Sequence, residues 1–87
     1  MEESQLLEDL TLFLLYMQSW REKVVESIFV ARSWKGYDFG VLDRLMEKGY
    51  ISGSKRAKSV ILTEEGIKKG EEIRRKLLSH TDLLAKP

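Results

Sequence analysis

The chain has 87 residues, with 15 Lys and Arg against 14 Asp and Glu, a single His, no Cys and a formal charge of +1 at pH 7. That length suits one domain, near the limit below which a lone apolar core needs disulfides, metals or a partner to hold it. Without cysteine there is no disulfide, zinc–thiolate site or thiol nucleophile, and His80 alone excludes a histidine-rich metal site, so no cofactor is expected.

Glu2, Glu3, Glu8 and Asp9 precede any basic residue, the reverse of a secretory leader, and the longest apolar run, 12–17, is too short to span a bilayer. The expectation is a soluble, cytoplasmic protein with no membrane partner. The first predicted element is a helix over 5–19: Leu6, Leu7, Leu10, Phe13, Leu14 and Met17 recur at helical spacing, and Leu12, Leu15 and Tyr16 widen the stripe almost around it. Ser4 is its expected N-cap. A helix apolar on nearly every side must be covered on nearly every side, either by a second subunit, giving a homodimer, or by the rest of the chain wrapped about it.

Residues 20–36 form a variable element. Val24, Val25, Ile28 and Phe29 have helical spacing, whereas Ile28, Val30, Arg32 and Trp34 alternate with Phe29, Ala31 and Ser33 as a strand would. The expectation leans to a helical turn over 21–26 followed by an extended stretch, with Trp34 a buried anchor for the next element. The pattern then predicts a helix over 37–48, with Phe39, Leu42, Leu45 and Met46 on one face, Asp38 as cap and Gly49 in the left-handed position after its end. Its opposite face centres on Arg44, with Tyr37, Gly40, Glu47 and Lys48 around it.

Short strands at 50–52 and 59–62 flank a loop holding Lys55, Arg56 and Lys58, so 50–62 reads as a hairpin that concentrates basic charge. Thr63 caps a last helix over 63–80, whose Glu/Lys and Glu/Arg pairs four apart mark a solvated surface and whose buried stripe is Ile67, Gly70, Ile73 and Leu77. Leu83 and Leu84 could add a final contact. The succession over 1–87 is that of one winged helix-turn-helix domain, a mainly α fold with a small β-hairpin (α+β).

Leu42-x-x-Leu45, the EKGYI run at 47–51, the basic hairpin and VILTEEG at 60–66 resemble the recognition helix, wing and following helix of MarR-like and PadR-like repressors. SWKGYDF at 33–39 together with KSVILTEEG at 58–66 is similar, more closely, to a small bacterial winged-helix family of unknown function. The repressor likeness implies a dimeric transcriptional regulator on double-stranded DNA. Tyr37, Gly40, Arg44 and Lys48 would face the groove, and Lys55, Arg56 and Lys58 would meet phosphates, joined by Lys35 at the start of the recognition helix. Asp38, Asp43 and Glu47 oppose Arg44 and Lys48 on that helix, and this departure favours the alternative of a winged-helix protein-interaction module. No carboxylate pair, histidine partner or phosphate-loop glycine spacing points to an enzyme. Trp20, Trp34 and Tyr37 read as core aromatics rather than as the lining of an effector pocket.

Overall fold

A computed structural model describes residues 2–54 and 56–80, with the side chain of His80 excepted. The elements run α1 (Glu3–Met17), β1 (Trp20–Val25), β2 (Ile28–Trp34), α2 (Phe39–Glu47), β3 (Ile51–Ser52), β4 (Ser59–Leu62) and α3 (Glu64–His80). The expected contact through Leu83 and Leu84 lies outside the described residues. The fold is α+β, with three helices and a four-stranded antiparallel sheet ordered β1-β2-β4-β3.

The sheet is larger than the small hairpin expected, because the variable element is itself a hairpin. β1 pairs β2 from Trp20↔Arg32 to Val25↔Ile28, and the helical turn expected over 21–26 is corrected to strand. The reversal is made by Glu26 and Ser27, the latter at φ 71, a left-handed turn conformation that few non-glycine residues adopt. The helical spacing of Val24, Val25, Ile28 and Phe29 comes from two strands meeting at a hairpin tip, and all four are exposed. Because a hairpin precedes α2, no second helix stands between β2 and α2.

Paired residues share a sheet face, so Ala31, Ser33, Ile51, Val60 and Leu62 lie together against the helices. With Leu12 and Leu15 of α1 and Val41, Leu42 and Leu45 of α2, the buried members of this face make one core. The opposite face carries Trp20 and Trp34, whose rings meet at 5.0 Å between centroids, tilted by 47°. Trp34 is 60% exposed, which corrects its expected role as a buried anchor: its position in β2 aims it away from the core.

Local signals at the ends of α2 and α3 hold. The Asp38 carboxylate accepts from the Val41 amide at 3.1 Å, and Gly49 takes φ 81 just beyond the helix. The Thr63 hydroxyl accepts from the Gly66 amide at 3.0 Å and donates to the Gly49 carbonyl at 2.6 Å, so one side chain caps α3 and ties it to the end of α2. At α1 the expected cap is corrected: Glu2 is the N-cap residue, and the Ser4 hydroxyl donates to the Glu2 carboxylate instead.

Two glycines let α3 approach the body. A Cβ on Gly70 would lie 2.6 Å from Cγ of Tyr16 on α1, and one on Gly66 would lie 2.0 Å from the backbone oxygen of Tyr50. The Tyr16 contact is less severe and falls on a side chain, whereas the Tyr50 oxygen is fixed, because it accepts from the Thr63 amide at 3.0 Å. Gly66→Ala should therefore destabilise the domain by about 3 kcal/mol, an overpacking penalty read from the urea midpoint. Gly70→Ala should do less, and the reverse order would show that the Gly66 contact is not tight.

Candidate interaction surface

The surface expected to meet a partner is built on α2 and the β3–β4 loop. α2 buries Val41, Leu42 and Leu45, and Phe39, expected on the same inward face, is instead 76% exposed. With Val41 inside and Phe39 outside, the helix is rotated from the expected setting. Its outward face is then Phe39, Gly40, Asp43 and Glu47 rather than one centred on Arg44.

Arg44 and Lys48 turn toward α1. Glu8 is only 5% exposed, and its carboxylate accepts from Arg44 Nε at 2.9 Å through Oε2 and from Lys48 Nζ through Oε1. Lys48 Nζ also donates to Gln5 Oε1 at 3.2 Å. The Lys48 hydrogen bond holds the Glu8 carboxyl below its usual range, against the raising effect of burial, with Arg44 adding to it. The same bond raises the Lys48 ammonium. A buried carboxylate needs such partners, and two half-exposed cations satisfy it here.

The other candidates divide from these two. Tyr37 packs against the core and donates its hydroxyl to Gln18 Oε1 at 3.0 Å, behind the outward face of α2. Gly40 lies on that face, with room for a Cβ only at 3.1 Å from Asp38 Oδ2. Lys35 joins the β3–β4 loop: its amide donates to the Lys58 carbonyl at 3.2 Å and its Nζ to the Ser54 carbonyl at 2.9 Å. Arg56 and Lys58 are exposed on that loop, while Lys55 lies outside the described residues. Of the predicted residues that the structure describes, Lys35, Arg56 and Lys58 gather at the β3–β4 loop, Arg44 and Lys48 are committed to Glu8, and Tyr37 and Gly40 belong to neither group.

A cavity of about 310 Å³ opens beside the outward face of α2, lined by Lys35, Phe39, Leu42, Asp43 and Met46. Only Lys35 of these was expected at a site. Asp43 and Phe39 were legible as members of the helix but were read as a departure and as core. Glu8 stands in the first turns of α1, where the helix dipole alone would account for an acid, so nothing local marks it as the partner of Arg44 and Lys48.

Residues 3–80 match a family described as a domain of unknown function, DUF6429. The chain belongs to that family. It is also 42% identical over 48 residues to the uncharacterised protein y4hR of Sinorhizobium fredii (strain NBRC 101917 / NGR234), a match covering 54% of this chain and 65% of that protein. The chain therefore spans just under two thirds of this relative's length. No solved structure matches. No helix among the described residues is long and apolar enough to cross a membrane.

The Glu8 pairing gives a pH signature. A lowered native pKa stabilises the fold above the unfolded carboxyl's ordinary value of about 4.3, and that contribution is lost as pH falls through the native value. For Lys48, raised in the native state, the contribution is full below about pH 10.4 and is lost as pH rises through the native value. Glu8→Gln should lower the urea midpoint by a constant amount between about pH 8 and pH 6, and the gap to wild type should begin to narrow as pH falls below the unfolded carboxyl's value of about 4.3. A gap that does not narrow on acidification would place the effect in packing rather than in the charge.

Proposed function

We propose that the domain is a winged-helix-like protein-recognition module acting in the cytoplasm, with the outward face of α2 and its neighbouring cavity as the docking surface. The partner segment it suits combines an apolar anchor with a basic side chain. One observation carries this reading: both cations of α2 are bound to Glu8, so the face left to solvent is acidic and aromatic. Such a face repels a phosphate backbone and complements a cationic peptide. Phe39 at the cavity rim is the kind of exposed aromatic that anchors protein interfaces. The absence of cysteine agrees with a reducing compartment.

Panning a displayed library of random peptides against the domain tests this. Enriched sequences should pair Lys or Arg with an aliphatic or aromatic residue, and Phe39→Ala or Asp43→Lys should weaken the best binder by about tenfold or more. Enrichment that ignores both substitutions would sink the proposal.

A second reading, a transcriptional regulator on double-stranded DNA, draws on the β3–β4 loop, where Lys35 is fastened beside Arg56 and Lys58. Contact would then run through the wing and phosphates, with α2 outside the groove. Fluorescence anisotropy with duplex DNA should show an affinity that falls steeply with salt and is lost when Lys55, Arg56 and Lys58 become Ala. No binding at low salt removes this reading.

A further inference from the structure

α1 is apolar on two faces. Glu8, Thr11, Leu12 and Leu15 are buried against the body, while Leu7, Leu10, Leu14 and Met17 run along the opposite side, each 41–52% exposed. Their spacing of three, four and three residues is that of a coiled-coil seam, with Leu6 and Phe13 widening one flank. We infer that this seam is the interface of a homodimer in which the α1 helices of two copies cross antiparallel about a two-fold axis at the level of Leu12.

The spacing argues for a second copy because it reads the same from both ends. A two-fold axis at that level sets Leu10 against the partner's Leu14 and Leu7 against the partner's Met17, which completes the isologous contact a symmetric dimer requires.

Charge selects the direction. Every charged residue of α1 is acidic, and Glu3, Glu8 and Asp9 all lie in its N-terminal half. Glu8, buried on the other face and paired with Arg44 and Lys48, takes no part. A parallel pair would set Glu3 against Glu3 on the exposed side of α1, whereas an antiparallel pair crossing at Leu12 holds the two copies of Glu3 about 27 Å apart along the helices. It also aligns the two helix dipoles favourably.

The area is sufficient for a modest dimer. Leu6, Leu7, Leu10, Leu14 and Met17, each with about half its surface free, and Phe13 with less, offer on the order of 500 Å² per copy, hence about 1,000 Å² in all, the lower bound of a specific interface.

The hairpin tip is a competing apolar patch, but the strand it offers for edge pairing is β1, which carries Arg21, Glu22 and Lys23. A two-fold antiparallel pairing centred on any of these three sets like charge against like.

Sedimentation equilibrium of the full chain should give a species of twice the 10.1 kDa chain mass at high concentration. The double variant Leu10→Glu, Leu14→Glu should remain monomeric, with dissociation shifted by about 100-fold or more and far-UV circular dichroism unchanged, since both side chains point away from the core. Because the chain has no cysteine, Leu7→Cys and Met17→Cys each introduce a single thiol. Mixed and oxidised, they should form a disulfide heterodimer, while Leu7→Cys alone should not link, its two copies lying about 15 Å apart along the helices. A wild-type chain that stays monomeric at high concentration, a dimer indifferent to the double variant, or efficient self-linking of Leu7→Cys each overturns the inference. None of these outcomes depends on peptide binding at α2, which uses a different face.

Discussion

The carboxylate of Glu8 is the constraint from which the rest of the surface follows. An acid on the inner face of α1 is tolerable only with cations brought to it, since an unpaired buried charge is far costlier than a lost surface contact. α2 supplies both, from positions one turn apart, so the pairing fixes the rotation of α2 about its own axis as well as its distance from α1. Once Arg44 and Lys48 are turned to Glu8, Asp43 and Glu47 are turned to solvent. The orientation of α2 and the chemistry of its outward face are thus linked through one interaction, and the basic residues that look free on a helical projection are tied to Glu8 in the fold.

The second constraint is size. A chain this short has two helices of fifteen and seventeen residues but a core drawn from only a few positions on each element. α3 comes close enough to share that core only where Gly66 and Gly70 remove a Cβ, and what α3 covers is one side of α1. α2 and, more lightly, β2 take the inner side. Nothing among the described residues is left for the seam of Leu7, Leu10, Leu14 and Met17, which is why an all-round apolar helix in the sequence becomes a half-covered helix in the fold.

What could be read from the sequence follows from how local its causes are. Asp38, Gly49 and Thr63 act within a turn of where they stand, so α2, β3, β4 and α3 fall close to their expected places. The β1–β2 hairpin was hidden because its reversal uses Glu26 and Ser27, neither of them the Gly or Asn that marks a tight turn, and because its apolar residues cluster at the tip rather than alternating along the strands. Trp34 was misread for a related reason: a large aromatic in a small domain suggests burial, but the face of a strand is decided by pairing register, which only the partner strands reveal. The site divides in the same way. The basic loop was legible as composition, whereas the Glu8 pairing joins residues 36 and 40 positions apart and has no local signature.

The two groups of basic residues also bear on how the surface works. Cations on the β3–β4 loop are anchored at the strand ends through Lys35, on the opposite sequence flank of α2 from Arg44 and Lys48, and the face of α2 between them is acidic. A domain shaped for the DNA groove needs its helix and its wing to present the same sign, because both meet phosphates on the same duplex. Here the helix and the loop present opposite signs. Under the reading proposed above, a partner that meets both would itself be mixed in charge and apolar at the centre, as a protein segment is and a polyanion is not.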